Sequence, residues 1–328
     1  MTTISCETIL TSNLAGTSKR LSTFLWTYPR WIHAEGRTHR VISIGEDFEI
    51  LAPTPSPMEC VDLSRNAASS RAIPVQKMID AILADPAVPL FWGKNVAGMQ
   101  HKEELGPVER QKAYDIWMQS MESQIAYAKA MCALGIDDEN RPISAHKQIV
   151  NRMLEPYMHI KVLVSATEWS NFLGLRDHGD AEPHIMLLAQ AVREELAKPV
   201  EQTLHPGEWH MPFVSADDWR DAYLGAEAGG DPIDAARKLS VARCASTSYK
   251  TVDGFDMTFD RAEALHDKLV AATPLHASPA EHVAQADLLH TAHEDEAGWH
   301  PERWENPRQH GNFVGFRQYR KMLPNECL

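Results

Sequence analysis

Residues 159–176 have the sequence HIKVLVSATEWSNFLGLR, which predicts a strand followed at once by a helix. The apolar run of 159–166 is typical of a buried strand, and 168–176 of a short helix. Asn171 lies at the edge of that helix and Arg176 at its end. An arginine at a helix C-terminus commonly satisfies the last carbonyls, so this position alone does not indicate a binding role.

The elements on either side of this stretch predict the α+β class, because strands and helices do not alternate as a regular βαβ series. Residues 3–33 predict one or two strands, and the β-like pieces and prolines of 41–63 predict a hairpin with an extended loop. The clearest helix is 107–134, where Ile116, Trp117 and Ile125 recur at helical spacing. Further helices are predicted at 144–154, 183–197, 231–244 and 258–272, and mixed loop and strand in the last forty residues.

Composition excludes several classes of protein. The chain has 328 residues, 32 Lys and Arg against 45 Asp and Glu, and a net charge of −13, which disfavours a nucleic-acid polymer as partner. No apolar run is long enough to span a bilayer, and we expect neither a secretory signal nor membrane attachment. Five scattered cysteines without a CxxC pair favour a reducing cytoplasm.

The length allows two lobes, but we expect one catalytic α+β unit over 1–328. Its N-terminal part would cover 1–227 and its C-terminal part 228–328, with Glu227–Asp231 at the junction. The chain contains no Rossmann fingerprint, P-loop or nucleophile elbow. The His290-Thr-Ala-His293-Glu294 stretch is more typical of a solvated surface than of a metal site, and no metal is expected.

Three polar segments contain candidate binding residues. The first combines THR (38–40) with SRNAASSR (64–71), whose arginines and hydroxyls suit a phosphate. Taken alone, this segment is better explained as a surface loop with a helix N-cap ahead of Ile73-Pro74. The second combines NRMLEP (151–156) with TEWSNFLGLR (167–176), and the third ARCASTSY (242–249) with HASPAEH (276–282). A capping box on Ser278 would account for the last motif locally.

Together these segments resemble the flavin-dependent thymidylate synthases. That family has an R-H-R-x-x-S-x-N-E-x-S-x-R signature, an N-F-L-x-L-R helix and an H-x-[ST]-P-F-E-H segment. In this chain the last segment follows the first, which resembles the circularly permuted, phage-type branch. The blocks YPRWIHAE (28–35) and GNFVGFRQYRKMLPNE (311–326) extend the resemblance over nearly the whole chain.

The resemblance implies methylation of deoxyuridylate (dUMP) at C5, with methylenetetrahydrofolate as carbon donor, FAD as hydride carrier and NADPH as reductant. The family's fold, a mixed or antiparallel sheet with helices, is implied as well. A cytoplasmic homotetramer with sites shared between subunits is the implied assembly. No cysteine nucleophile is needed, because positive charge polarises the pyrimidine instead.

Residue roles follow from the same resemblance. Arg176 matches the arginine that contacts the uracil, and it is the expected catalytic group because a guanidinium does not titrate near neutrality. Further implied dUMP contacts are Glu35, Ser69, Ser70, Arg71 and Arg152. Implied FAD contacts are Thr38, His39, Arg40, Asn66, Asn171, His276, Ser278 and Glu281.

Several positions depart from the common form of the family. Thr38 stands for the first Arg of the signature, Ala67 for its Glu, and Met186 for a helix Arg. Residues 41–63 form an insertion, which either decorates the fold or alters the accepted pyrimidine or carbon donor. The alternatives are therefore a flavin- and folate-dependent hydroxymethylase of deoxypyrimidine monophosphates, and an inactive nucleotide-binding paralogue.

Overall fold

A hairpin of two ten-residue strands begins the fold. Strands β1 (Ser5–Leu14) and β2 (Arg20–Pro29) pair antiparallel, and Gly16 occupies the connecting turn with φ +73°. The computed structural model of the chain describes residues 2–36, 39, 43–45, 74–96, 103–226, 229–246, 257–270, 278–295, 298–324 and 326. Within these ranges the architecture is mixed α and β, as expected for the α+β class.

The remaining elements are short apart from three long helices. The strands are β3 (Ser43–Gly45), β4 (Gly135–Ile136), β5 (Pro142–Ile143), β6 (His159–Ala166), β7 (Gln202–Leu204), β8 (Trp209–His210), β9 (Ala284–Ala286), β10 (Leu289–His290), β11 (His293–Asp295), β12 (Gly298–His300), β13 (Arg303–Trp304) and β14 (Phe316–Gln318). The helices are α1 (His33–Gly36), α2 (Val75–Ala84), α3 (Pro107–Met131), α4 (Lys147–Val150), α5 (Ser170–Arg176), α6 (Pro183–Leu196), α7 (Ala216–Ala226), α8 (Pro232–Ser246), α9 (Phe259–Val270) and α10 (Tyr319–Met322).

The central sheet has the strand order β3-β6-β2-β1-β7. Strand β6 pairs antiparallel with β2 along its whole length, and β3 pairs antiparallel with β6. Strand β7 is parallel to β1, with Ser12 opposite Gln202. The sheet is therefore mixed, and β6, the strand predicted from its apolar run, lies inside it.

One face of this sheet supports the main hydrophobic core. Phe24 and Trp26 project from β2 onto this face, where helix α5 inserts Phe172. The rings of Trp26 and Phe172 stack with centroids 5.2 Å apart, and Trp169 lies 5.2 Å from Phe24. Since Phe172 is one turn from Arg176, this packing fixes the position of the helix end.

The opposite face is covered by the C-terminal part of the chain. There β14, β9 and β8 form a three-stranded sheet. Leu14 of β1 shares a buried cluster with Phe316 of β14. The chain passes so close at Gly315 (φ +86°) that a Cβ atom there would lie 3.1 Å from Leu14 and 3.0 Å from Trp304. The first and last strands of the chain thus pack against each other.

Most of the predicted elements are confirmed, but some local expectations are wrong. The helix expected over 144–154 is only the four-residue α4 and a 3-10 turn at Asn151–Met153, because Pro156 prevents further helix. Ile116, expected on the buried face of α3, is 66% exposed. The expected capping box at Ser278 is a single 3-10 turn, Ser278–Glu281.

No helix in the described part of the chain is long and apolar enough to cross a membrane.

Thiol chemistry has little support at two of the cysteines. Burial raises the pKa of the Cys6 and Cys244 thiols far above the ordinary value, so neither carries an appreciable thiolate fraction near neutral pH.

Candidate functional site

Arg176 brings together residues from three separate segments of the sequence. Its Nε donates to Nε2 of His39 at 3.1 Å, across 137 positions of sequence. Its Nη1 donates to Oε2 of Glu35 at 3.0 Å, and its Nη2 to the Glu35 carbonyl at 3.4 Å. The guanidinium therefore contacts the α1 segment, and the simpler expectation of an arginine that satisfies its own helix carbonyls is not what these contacts show.

His39 is held on both of its ring nitrogens. Nδ1 lies 3.2 Å from Oδ1 of Asn171, and the ring meets Phe172 edge-on with centroids 5.1 Å apart. The side chain of His39 is buried. Glu35, His39, Asn171 and Arg176, which we call the arginine cluster, are thus four predicted site residues that the fold places in contact.

Two local arrangements hold this cluster in place. Strand β2 ends at Pro29, a 3-10 turn over Arg30–Ile32 follows, and α1 begins at His33. The hydroxyl of the buried Tyr28 lies 2.7 Å from Nδ1 of His33, and their rings stack. This contact ties α1, which contains Glu35, to the end of the central sheet.

The electrostatics of the cluster favour a neutral His39 and raise the pKa of Glu35. Burial lowers the pKa of His39, and the charge of Arg176 lowers it further, against the hydrogen bond to Asn171. Burial raises the pKa of Glu35, as does the charge of Glu182, while Arg176 opposes both. The guanidinium is therefore the fixed positive charge of the site.

Glu182 has a structural task of its own next to the cluster. Its carboxylate caps α6 by accepting the backbone N–H groups of His184 at 2.8 Å and Ile185 at 3.0 Å. It also lies 2.5 Å from Nδ1 of His184. Burial raises the pKa of Glu182, but these hydrogen bonds lower it overall, so the residue is a stable anion facing Glu35.

The Ser278–Glu281 turn reaches the same sheet edge from the C-terminal part of the chain. It contacts β3, the edge strand that follows His39 by four residues. The Glu281 carboxylate pairs with Arg320, and the Glu281 carbonyl accepts from Nε2 of Gln318 at 3.1 Å. Burial raises the pKa of Glu281, while Arg320 lowers it. Glu281 is thus engaged within the protein.

A line of buried polar side chains crosses the second face of the central sheet. We call it the polar row, and its members in order are Gln202, Ser12, His210, Thr23, Ser165 and His282. Gln202 Nε2 donates to Ser12 Oγ at 2.8 Å, and Ser12 Oγ lies 2.6 Å from Nδ1 of His210. Nε2 of His210 lies 2.9 Å from Oγ1 of Thr23. Gln202 Nε2 can only donate. If each hydroxyl accepts one hydrogen bond and donates one, Ser12 donates to Nδ1 of His210, and Nε2 of His210 donates to Thr23.

The row continues to the segment that follows the Ser278–Glu281 turn. Oγ1 of Thr23 lies 2.6 Å from Oγ of Ser165, which lies 2.9 Å from Nδ1 of His282. In the same direction, Thr23 donates to Ser165, and Ser165 donates to Nδ1 of His282. The ring hydrogen of the neutral His282 is therefore on Nε2. That fully buried atom has no hydrogen-bond partner in the part of the chain described here. The row fastens the HASPAEH segment to the sheet.

The other predicted site residues are not all placed. Arg152 is exposed in the Asn151–Met153 turn, and none of the described contacts joins it to the arginine cluster. Ser278 is partly buried in its turn near β3. Seven predicted residues lie outside the described ranges, as does the 41–63 insertion apart from β3: Thr38, Arg40, Asn66, Ser69, Ser70, Arg71 and His276.

Sequence reasoning missed the polar row, although His282 belongs to a quoted motif. Ser12, Thr23 and Ser165 lie within strands, but β1 and β2 each contain several other serines and threonines, so these positions gave no distinguishing signal. His210 had no sequence signal. Among the described residues, no three His, Cys, Asp or Glu side chains are grouped to hold a metal ion.

Comparison of the sequence with models of known protein families and with curated proteins finds no match to either.

Proposed function

We propose that this chain is a flavin-dependent thymidylate synthase that methylates deoxyuridylate (dUMP) at C5. One observation supports the proposal most directly. Glu35, His39, Asn171 and Arg176 belong to three of the quoted motifs, and they meet in one hydrogen-bonded cluster. The cluster joins two stretches of sequence, 35–39 and 171–176, whose paired residues are 132 to 141 positions apart.

The cluster suits a pyrimidine that must gain electron density at C5. Arg176 offers a permanent positive charge that binds the uracil edge and stabilises negative charge on its ring. Asn171, which is exposed, and His39, which is buried, hold that helix end, and the Arg176 side chain between them is partly buried. The partly buried Cys6 thiol and the buried Cys244 thiol, with their raised pKa values, offer no comparable nucleophile.

We propose that the flavin binds at the same edge of the sheet, where the Ser278–Glu281 turn contacts β3. His282 directly follows that turn, but its Nε2 is fully buried and is therefore not among the proposed flavin contacts. When bound, FAD would supply the hydride, with methylenetetrahydrofolate as carbon donor and NADPH as reductant. Asn171 and Ser278 are the described residues proposed to lie nearest to it, within a cytoplasmic homotetramer that shares its sites.

The test is release of tritium from dUMP labelled at C5, in the presence of FAD, methylenetetrahydrofolate and NADPH, with the product identified by mass. We expect deoxythymidylate from the wild-type protein. Arg176→Lys should lower kcat by about 10²- to 10³-fold, because a point charge cannot reproduce the guanidinium geometry. Arg220→Lys, at an exposed arginine of α7, is the matched control and should retain activity.

The product distinguishes the proposal from its alternatives. A hydroxymethylated nucleotide would assign the chain to the hydroxymethylase reaction on the same scaffold. A colourless protein that binds dUMP without turnover would assign it to the inactive nucleotide-binding class. Either result would contradict the synthase proposal.

A further inference from the structure

The hydrogen-bonding state of His39 follows from its two partners. An arginine Nε–H is a donor at every accessible pH, so Nε2 of His39 must accept from Arg176. The single hydrogen of the neutral ring is then on Nδ1, which donates to Oδ1 of Asn171. Both ring nitrogens of His39 are therefore used inside the protein.

This arrangement disagrees with the flavin contact that the sequence resemblance implies for His39. A hydrogen bond from the ring to a flavin would require the loss of the bond to Asn171 or to Arg176. We propose, on the basis of the proposed function, that His39 is instead a positioning residue that aims the Arg176 guanidinium at the pyrimidine and does so only as a neutral imidazole.

Two of the described residues anchor the guanidinium. His39 binds its Nε edge, and Glu35 binds Nη1 through the carboxylate and Nη2 through the backbone carbonyl. Phe172 closes one side of the imidazole, so the ring cannot turn without disturbing the core. An Arg176 that loses its Nε anchor would keep its charge but gain freedom to rotate.

Protonation of His39 would remove that anchor, because it places an N–H against the Nε–H of Arg176. Among the residues that the structure describes, the charged groups facing the ring are Arg176 of α5 and, behind it, Glu35 of α1, with Glu182 beyond Glu35. Burial and the charge of Arg176 keep His39 neutral near pH 7. As the pH is lowered, kcat should fall because the imidazole of His39 gains a proton.

Two variants test the roles of the two ring nitrogens of His39 separately. In His39→Gln the longer side chain places an amide oxygen near the position of Nε2, so it accepts from Arg176 without titrating. In His39→Asn the amide reaches only the position of Nδ1, so the bond to Asn171 survives and the anchor for Arg176 is lost. We expect His39→Gln to retain most of kcat and to lose the acidic limb of the pH profile. His39→Asn should lower kcat by about 100-fold at all pH values, with flavin still bound.

A second measurement does not depend on turnover. The ¹⁵N–¹H signal of Arg176 Nε, identified by its absence in Arg176→Lys, should shift as the pH is lowered in the wild-type protein and stay constant in His39→Gln. Two results would overturn the positioning role. One is that both His39 variants lose the flavin and have the same kcat as each other, and the other is that the Nε signal of the wild-type protein does not change with pH. Absence of deoxythymidylate from the wild type, with the Nε titration intact, would contradict the proposed function and leave the Arg176–His39 geometry established.

Discussion

Ser165 and His282 are joined by a 2.9 Å hydrogen bond although 117 positions of sequence separate them. Ser165 belongs to the strand predicted first from the sequence, and His282 to the motif that the permuted order places near the end of the chain. This bond connects the central sheet to the HASPAEH segment. The polar row behind it extends the connection to the far edge of the sheet.

Ser165→Ala should destabilise the protein by about 1–3 kcal/mol, because Thr23 and His282 would each lose a buried partner. Urea unfolding followed by circular dichroism measures the change. Ser123→Ala is the control, since its exposed hydroxyl bonds only a carbonyl of its own helix. A similar midpoint for both variants would show that the polar row contributes nothing to stability.

The stability of the fold should decrease in acid through the two histidines of the polar row. Burial lowers the pKa of His210 and of His282 to about 3, and the charge of His282 adds to the effect on His210. The ordinary value of 6.5 applies in the unfolded chain, which therefore binds protons between these limits that the folded chain does not. The free energy of unfolding should fall as the pH drops below 6.5, by up to about 1.4 kcal/mol per pH unit for each histidine.

Urea unfolding at several pH values between 7 and about 4 tests this dependence. His210→Asn removes one of the two titrating groups, so its stability should depend less steeply on pH than that of the wild type. His178→Asn, at an exposed histidine, should leave the slope unchanged. Equal slopes for all three proteins would mean that the buried rings are protonated in the folded state.

Asp287→Asn should destabilise the C-terminal part of the chain. The buried carboxylate accepts from the backbone and side chain of Asn306, both at 2.9 Å, and lies 2.8 Å from Nε2 of His310. Burial raises the pKa of Asp287, but these bonds lower it overall. An amide cannot accept all of them, so we expect a loss of about 1.5–3 kcal/mol in urea unfolding. Asp138→Asn on the surface is the control, and an equal effect there would contradict this assignment.

Two isoleucines on α3 provide a matched pair. Ile125 is 7% exposed and belongs to the main core, whereas Ile116 is 66% exposed. Ile125→Ala should cost about 2–5 kcal/mol in the free energy of unfolding, because it removes buried atoms and leaves a cavity. Ile116→Ala should change it by less than about 0.5 kcal/mol. A large loss at Ile116 would indicate that this face is covered in the assembled protein.

Glu35→Gln should bind dUMP at least as tightly as the wild type. Burial and the charge of Glu182 penalise the carboxylate, and a glutamine oxygen still accepts from Nη1 of Arg176. Glu35→Leu removes that acceptor and should weaken binding in isothermal titration. Equal weakening in both variants would show that the negative charge itself is required.

Elements with long periodic or apolar runs could be predicted from the sequence. The strand over 159–166 and the helix that begins at Pro107 are of this kind. Helix α7 was missed, although Ser215 and Asp218 exchange the hydrogen bonds of a capping box and stand three apart in the sequence. That local signal was present and simply weaker than the patterns around it.

Residues of the candidate site could be predicted only where they belong to a recognisable sequence motif. Arg176 and Glu35 lie in quoted motifs, and the fold places their side chains 3.0 Å apart. The polar row could not be predicted, because it depends on strand register. A shift of one residue would turn Thr23 to the opposite face of the sheet. No local pattern specifies which of the many serines and threonines of the chain becomes aligned.

The packing of β1 against β14 has a consequence for biosynthesis. Leu14 leaves the ribosome about 300 residues before Phe316, which at about 5–20 residues per second is a delay on the order of 15 to 60 s. During that time the second face of the nascent hairpin lacks its cover, so apolar side chains remain open to chaperones and to other unfinished chains. Slow synthesis would prolong this interval, and the yield of native protein should then depend on chaperone supply.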